Sequence, residues 1–420
     1  MSQNWKSYMQ QWPLLLPFLL GGALPTSTAL TNLLLPLCAL IGAWQGRALV
    51  VRILKTQPIV WFSLALLMAL ALGALRADPA QGMEYLGKYK KLLFVPFLAL
   101  FFIHDKARLR AALIGFLVGS ALILFASTYL RFVGSVIDPT IPSMRLMVLN
   151  GHTYLSSGIT KNPIAQSLLM AIAAFLALAK ALQSLHYRRL AWGILSLWML
   201  LNVFMMSPQR TGYLAVLIML IWAGSLWLGW RARLMAIGLG VAIASALWFG
   251  QASIVNRVAL GFTEAKTCWG ALHTPQQDAL CATSLGLRTY WYTTAIEHIA
   301  EKPFLGYGTG NFSIPTLATS HFSNAHNEYL MQGMQLGLVG IILYLSLLIA
   351  GIRAALRLAD PWRTILSGIL VAYAVCSLFN SLLLDFTEGY TLVTVLAVVL
   401  ALAIHTANSS NSSESKASHV

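Results

Sequence analysis

Long apolar runs recur along this chain, and they constrain its fold more than any other feature. A helix needs about 20 consecutive apolar residues to cross a bilayer, and about twelve stretches approach that length. Of the 420 residues, 58% are hydrophobic and only 10% are charged. The sequence therefore predicts an all-α polytopic membrane protein with about twelve transmembrane helices. The candidate spans are residues 12–24, 28–44, 58–75, 91–103, 110–130, 163–182, 190–206, 211–228, 234–249, 326–349, 364–383 and 390–404.

Basic residues between the spans predict the orientation of the chain. The net charge of +15 is carried by short clusters in loops rather than by one continuous patch. This pattern is typical of the positive-inside rule and does not indicate a nucleic-acid partner. An even number of spans places both termini on the cytoplasmic side of an inner membrane. The clusters assigned to that side contain Arg47 and Arg52, Lys106 and Arg108, Lys180 and Arg188, Arg231 and Arg233, and Arg353 and Arg357.

The spans divide the chain into four segments. Residues 1–251 hold the first nine transmembrane helices, and residues 326–407 hold the last three. Residues 252–325, between the ninth and tenth spans, form a large polar loop that we expect to fold as a periplasmic lid of short helices. Residues 408–420 are rich in serine and asparagine, a composition that predicts a disordered cytoplasmic tail.

Basic residues on the outer face run against the positive-inside rule and are candidates for binding an anion. Arg210 lies in the tight link 207–212 and close to the N-terminus of the next helix. Free N–H groups at a helix N-terminus and a guanidinium group together suit a phosphate. Arg145 and Lys161, in an earlier outer loop, are further candidates for the same anion, although ordinary loop charge also explains them.

A second candidate, Arg288, begins a helix of the large outer loop. Trp291, Ala295 and Ile299 follow at a spacing of four residues. Apolar residues at that spacing form one stripe of a helix, which could lie on the membrane surface.

The polar segment that follows contains a glycine-rich turn and a histidine. The turn, residues 306–310, lacks the Gly-Lys-Ser/Thr ending of a P-loop and follows no strand, so nucleotide binding is rejected. His326 falls in the first turn of the tenth span, where Asn324 could be the N-cap. The positive end of the helix dipole would keep this histidine neutral and able to accept a proton.

Taken in order, these features resemble the bacterial O-antigen ligase and polymerase superfamily. The resemblance covers about residues 162–383, and the first five spans are generic. It implies a glycosyltransferase of the GT-C type that moves a finished glycan from undecaprenyl pyrophosphate to an acceptor at the periplasmic face. In the ligase case the acceptor is a terminal sugar of lipid A-core. The residues that carry the resemblance are Asn162 and Pro163, Arg210, Arg288 with Tyr290 and Trp291, the run 303–308, and His326-Asn327-Glu328-Tyr329.

The resemblance also implies roles for individual residues. His326 would be the general base, and Arg210 and Arg288 would stabilise the pyrophosphate leaving group. Arg145 and Lys161 would help to bind the donor pyrophosphate. The candidates for contact with substrate or for the lid are Tyr290, Trp291, Tyr307, Asn327 and Glu328.

Few carboxylates are placed for chemistry, so we expect neither a metal nor another cofactor. The sequence contains no Asp-x-Asp motif, and the first outer loop, residues 21–28, holds no acid. Asp385 and Glu388, in the last outer turn, are the exception to watch. Because no acid stands out as a nucleophile, the sequence favours an inverting mechanism.

The four cysteines fall into two groups. Cys38 and Cys376 lie inside spans, where they fill space as small apolar residues. Cys268 and Cys281 share the large outer loop, and because the periplasm is oxidising we expect them to form a disulfide.

Two sets of alternatives remain open at this stage. The same chemistry would serve an O-antigen polymerase or a protein O-oligosaccharyltransferase. A membrane transporter or flippase belongs to a different class and would line a path through the bilayer with charges. The candidate spans are nearly free of charge at their centres, which argues against a transporter.

Overall fold

The computed structural model describes residues 2–133, 145–149, 152–156, 163–207, 209–227, 252–312, 314–315, 321–322 and 324–417. These residues form helices almost throughout, with two short antiparallel hairpins. In the first half the helices are α1 (Ser2–Thr26), α2 (Thr28–Gln45), α3 (Arg47–Thr56), α4 (Pro58–Ala74), α5 (Pro79–Tyr89), α6 (Phe94–His104), α7 (Lys106–Val133), α8 (Pro163–Gln183), α9 (His186–Leu201) and α10 (Arg210–Trp227).

The second half of the chain continues with six helices in the described residues. They are α11 (Ala252–Ala271), α12 (Gln277–Cys281), α13 (Ser284–Glu301), α14 (Glu328–Leu356), α15 (Trp362–Cys376) and α16 (Phe386–Ala417). One hairpin pairs β1 (Arg145–Leu149) with β2 (His152–Ser156), and the other pairs β3 (Ile314–Pro315) with β4 (His321–Phe322).

Seven helices in the described part of the chain are long and apolar enough to cross a membrane: α2, α7, α8, α9 with the π-helical turn that follows it, α10, α14 and α16. The number rises to eight if the bent pair of α3 and α4 is one span. The C-terminal half of α1, Leu14–Thr26, and α15, Trp362–Cys376, are apolar but shorter than these seven helices. The chain is consistent with a polytopic membrane protein, and the expected twelve spans stay a prediction. The candidate span 234–249 lies outside the described residues.

Glycines allow α1 and α7 to cross at close range. A Cβ atom added at Gly21 would lie 1.9 Å from the carbonyl oxygen of Ala112, and one added at Gly115 would lie 1.9 Å from that of Phe18. No side chain fits at such distances, so small residues at the crossing bring the two backbones together.

An elbow joins α3 to α4, whose axes differ by 85°. Gln57 adopts an extended conformation, and Pro58 begins α4. The residue before a proline is disfavoured in the helical region, whereas proline itself is well suited to the first turn. The elbow therefore follows from the local sequence.

Helices α11, α12 and α13 occupy the loop for which the sequence predicts a periplasmic lid, and we call them the lid helices. A disulfide joins Cys268 to Cys281 there, with Cα atoms 4.6 Å apart. The hydroxyl of Thr283 caps α13 by accepting from the N–H of Gly286, so the helix begins a turn before Arg288. The apolar stripe on α13 does not lie on the membrane surface as predicted. Ala295 is fully buried, and Ile299 packs against Gly333 of α14, so the stripe faces a neighbouring helix.

The glycine-rich turn docks on a kink in α14. Gly337 has φ +63°, which interrupts the helix. Backbone N–H and C=O groups near this kink can therefore form hydrogen bonds with the turn. Tyr307 N–H donates to the Met334 carbonyl (2.9 Å), and Leu338 N–H donates to the Pro303 carbonyl (2.7 Å). Gly306, at φ +57°, lies so close to α14 that a Cβ atom would come within 2.6 Å of the Leu336 nitrogen.

At the C-terminus, α16 continues through Ala417, beyond residue 408 where composition predicted disorder. The sequence offers no glycine or proline to end the helix between Ile404 and Ala417. The helix therefore extends beyond its apolar part.

Candidate functional site

The candidate site lies between the lid helix α13 and the segment that leads into α14. Arg288, Trp291 and Tyr292 occupy positions i, i+3 and i+4 of α13 and therefore share one face. The indole of Trp291 lies against the imidazole of His326, with ring centroids 5.1 Å apart. Tyr292 donates its hydroxyl hydrogen to the carbonyl oxygen of His326 at 3.2 Å. The lid thus positions one arginine and two aromatic rings over the histidine.

His326 precedes α14 rather than lying in its first turn, which corrects the sequence interpretation. Asn327 is the N-cap, and its side chain accepts from the N–H of Leu330 at 3.1 Å. Asn324 instead accepts from the N–H of His326 at 2.9 Å. His326 has φ +48°, an uncommon conformation for a residue with a side chain. Such strained positions persist where the surroundings hold them and often occur at functional sites.

The pKa of His326 is lowered from its ordinary value of 6.5 to about 4. Burial is the larger cause, and the positive charge of Arg288 is the second. The prediction that the imidazole is neutral gains support, but its physical cause differs from the helix dipole proposed from sequence. A histidine just outside the helix and under a tryptophan is affected mainly by the loss of water.

Arg288 is half-buried and held by the backbone of a distant segment. Its Nη1 donates to the carbonyl oxygen of Phe379 at 3.2 Å. Burial lowers the pKa of Arg288, as does the positive charge of Arg210, while Tyr292 opposes both. The repulsion between the two arginines is evidence that they lie in the same electrostatic environment. Two like charges held together suit a multiply charged anion.

Arg210 is exposed at the first residue of α10. The next residue, Thr211, accepts a hydrogen bond from the side-chain amide of Asn380. This bond ties the start of α10 to the segment that also holds Arg288. Arg210 is therefore placed at a helix N-terminus as predicted, with its side chain accessible to a ligand.

The connection between α15 and α16, residues 377–385, organises the site, and sequence reasoning did not find it. Besides Phe379 and Asn380, it contributes the Leu378 carbonyl, which accepts from Tyr292 at 2.8 Å. Ser381 donates from Oγ to Asn324 Oδ1 at 2.6 Å. Because most of these contacts use backbone atoms, residue type alone carries little signal for them. Tyr292 could have been found from its helical spacing to Arg288.

Glu328 has a structural role rather than the predicted substrate contact. It is fully buried, and its Oε2 accepts from the N–H groups of Leu383 (2.8 Å) and Leu384 (3.0 Å). Lys91 binds the same turn through its ammonium group. Its Nζ donates to the carbonyl oxygens of Leu383 (2.9 Å) and Asp385 (2.6 Å). These two side chains fix the end of the 377–385 connection. Gln332 Nε2 donates to the other oxygen, Oε1, at 2.7 Å. A fully buried carboxylate whose two oxygens already accept hydrogen bonds is explained by structure alone.

Two of the other predicted residues, Tyr290 and Tyr307, have contacts outside this group. Tyr290 is buried on a different face of α13, near Thr294 and the α12 side of the lid. Tyr307 donates its hydroxyl hydrogen to Glu301, and the ammonium of Lys302 lies 4.1 Å from its ring centroid. Arg145 begins β1, and Lys161 lies outside the described residues.

Asp385 and Glu388, the acids singled out as an exception, lie beside Lys91. The charge of Lys91 interacts with both carboxylates and with that of Glu328. Among residues placed by the structure, no group of three or more His, Cys, Asp or Glu side chains could hold a metal ion.

The arrangement places the neutral imidazole of His326 against Trp291 and near the charge of Arg288, which in turn interacts with the charge of Arg210. The arginines can bind an anion and stabilise negative charge that develops on it. The imidazole can accept a proton from a nearby hydroxyl. The site therefore has the parts for displacing an anionic leaving group by an alcohol.

A family model matches part of the chain. Residues 195–345, which span α10, the lid and the first half of α14, match a family model described as Wzy_C, O-Antigen ligase. No curated protein matches the chain. A solved structure described as "Structural coordination of polymerization and crosslinking by a peptidoglycan synthase complex" is similar over 82% of this chain and 97% of the other, with 20% identity and a TM-score of 0.43.

Proposed function

We propose that this chain is an O-antigen ligase of lipopolysaccharide assembly, a proposal supported by the match of residues 195–345 to the O-antigen ligase family model. Its donor is O-antigen polysaccharide on undecaprenyl pyrophosphate, and its acceptor is a terminal sugar of lipid A-core. The enzyme is a multi-pass protein of the bacterial inner membrane with a periplasmic site and cytoplasmic termini. Transfer proceeds without a metal or another cofactor and inverts the anomeric centre, as expected for a GT-C-type enzyme.

The charge of Arg288 acting on a neutral His326, with Arg210 close enough for its charge to act on Arg288, carries the proposal. In the reaction, an acceptor hydroxyl oxygen attacks the anomeric carbon of the donor glycan. The bond from that carbon to the phosphate oxygen breaks, and its electron pair leaves with undecaprenyl pyrophosphate. The hydroxyl proton passes to His326, and the two guanidinium groups stabilise the charge on the leaving group.

Binding of the donor would change the pKa of His326, the proposed base. The positive charge of Arg288 is one cause of the low pKa of His326, about 4 in the free protein. A pyrophosphate bound to Arg288 would offset that charge and raise the pKa of His326 toward the working pH. A general base is most effective when its pKa lies near that pH. The histidine would therefore become a better base only after the leaving group is bound.

Polymerase activity and protein glycosylation would use the same donor chemistry and differ in the acceptor. A transporter would need no proton acceptor next to the anion site. The pairing of a neutral imidazole with two arginines favours transfer over transport, and the choice of acceptor requires a direct assay.

The test uses purified protein, undecaprenyl-pyrophosphate-linked glycan and lipid A-core, with products separated by gel and mass. The proposal predicts glycan-bearing lipid A-core, formed equally with and without EDTA. Lengthening of the lipid-linked glycan alone would indicate a polymerase. Loss of activity in EDTA, restored by added metal, would contradict the metal-free mechanism.

A further inference from the structure

A cavity of about 840 Å³ lies at the end of α14 that is remote from His326. Its walls come from the α3–α4 elbow, the last turns of α14 and the part of α16 around residues 403–407. Arg353 is 25 residues beyond Glu328, so at 1.5 Å per residue the two ends are up to about 38 Å apart, less the effect of the kink. Since a hydrocarbon core is about 30 Å thick, the cavity lies near the opposite membrane face from the site.

Three arginines line this cavity, namely Arg52 of α3, Arg353 in the last turn of α14 and Arg357 at the C-cap of that helix. All three are exposed, and no aspartate or glutamate is among the lining residues. In the ranges covered by the structure, none of these guanidinium groups forms a salt bridge. The nearby carboxylate of Asp360 is already paired with Arg363 at 3.0 Å. The cavity therefore concentrates positive charge without an internal counter-ion.

The rest of the lining is mixed in a way that suits an amphipathic ligand. Ile53, Phe62 and Ile349 contribute apolar surface, and Thr56 and Gln57 contribute polar groups at the elbow. A soluble anion would use the arginines and leave the apolar wall without a function. A lipid headgroup with its first acyl carbons would use both.

The orientation of α3 provides an independent argument. Its inner face carries Leu49 and the buried Ile53, whereas Arg47, Arg52 and Lys55 are exposed. The helix meets the apolar α4 at 85°. If α4 follows the membrane normal, α3 runs along the surface, as interfacial helices with basic polar faces do. The cavity then opens at the level of the lipid phosphates.

From these observations we propose that the cavity bounded by α3, α4, α14 and α16 binds the phosphate headgroup of an anionic phospholipid, in the leaflet opposite the candidate site. Arg353 and Arg357 contact the phosphate from α14, and Arg52 contacts it from the elbow. The lipid would hold the elbow against the two long helices. This site is separate from the donor site, and the proposal does not depend on the transfer reaction.

The test measures lipid binding to the purified full-length protein by native mass spectrometry. The probes are phosphatidylglycerol, phosphatidylcholine and inorganic phosphate. The variant is the double substitution R353Q/R357Q, and its matched control is R188Q/R189Q. The control removes the same charge from two exposed arginines of α9 that do not line the cavity.

Phosphatidylglycerol should bind the wild-type protein and the control variant alike. Each basic residue near an anionic lipid contributes roughly five-fold in affinity, so the cavity variant should bind about 25-fold more weakly. Equal binding by the cavity variant, or an equal loss in both variants, would overturn the proposal. So would equal affinity for phosphatidylcholine, or displacement of the lipid by inorganic phosphate.

A second measurement keeps the native arginines in case the double variant does not fold. Thr56→Cys places a thiol on the exposed wall of the cavity, while Cys38 and Cys376 are buried and Cys268 and Cys281 are joined. Phosphatidylglycerol should slow maleimide labelling of this thiol, and phosphatidylcholine should not. Equal labelling rates in the two lipids would contradict the assignment.

Discussion

The indole of Trp291 lies against the imidazole of His326, with ring centroids 5.1 Å apart. One ring comes from α13 and the other from the segment before α14, so the contact depends on how α13 packs against that segment. The indole keeps water from the imidazole and contributes to the burial that lowers its pKa. The protonation state of the proposed base is therefore linked to the position of the lid.

Replacing His326 by asparagine should lower kcat by roughly 100-fold or more, because the amide cannot accept the proton. Asparagine tolerates the positive φ of this position better than alanine does. Donor binding should be kept. His273→Asn is a matched control, since His273 also has a positive φ, +61°, but is exposed on the lid beside Glu297. Full activity in the His326 variant would require a different base.

The pH dependence of kcat/KM should reveal the lowered pKa of His326. The imidazole accepts a proton only when neutral, and with a pKa of about 4 it stays neutral down to mildly acidic pH. The acid limb of the profile should therefore lie near pH 4. In Trp291→Leu, restored contact with water should raise the pKa and move this limb toward 6.5. An acid limb already at 6.5 in the wild-type protein would contradict the assigned environment.

The bond between Cys268 and Cys281 should be present in protein isolated from the membrane. Mass spectrometry of a non-reduced digest should find the two peptides joined. Closing a loop of this size contributes roughly 3 kcal/mol in the chain-entropy model, so C268S/C281S should lower lid stability by about that amount. Detection of both cysteines as free thiols would refute the prediction.

Cysteine accessibility should report the sidedness of the chain. A probe at Thr274, which is exposed in the lid, should react with a membrane-impermeant reagent added from outside. Probes at Ala107 and at Lys416 should react only after the membrane is opened. Ser143 and Ala232 lie outside the described residues. A cysteine at Ser143 should react from outside, and one at Ala232 should react only after the membrane is opened. Labelling of Lys416→Cys from outside would contradict cytoplasmic termini.

Sequence reasoning succeeded where one residue type has one physical role. Apolar length predicted the helices, and the unusual outer-face charges of Arg210 and Arg288 indicated two residues that the structure brings into one environment. The sequence also indicates that His326 is neutral, but it attributes this to the helix dipole, whereas the main cause in the structure is burial.

What sequence could not show depends on long-range backbone contacts. The carbonyl oxygen of Phe379 accepts a hydrogen bond from Arg288. The N–H groups of Leu383 and Leu384 donate to the carboxylate of Glu328. A carbonyl or an N–H occurs at almost every residue and gives no local signal. The sequence around Glu328 therefore predicts contact with substrate, whereas its buried hydrogen bonds give it a structural role.

The most direct test of the central claim is glycan transfer by R210A and R288A at saturating donor and acceptor. If the two guanidinium groups stabilise the leaving pyrophosphate, each variant should lose roughly 100-fold or more in kcat. R288K should recover little, because an ammonium cannot form the bidentate contact. The control is K302A, which removes a lid cation placed over Tyr307. Near-normal transfer by folded R210A or R288A protein would contradict the account, whereas loss confined to these variants is the result it predicts.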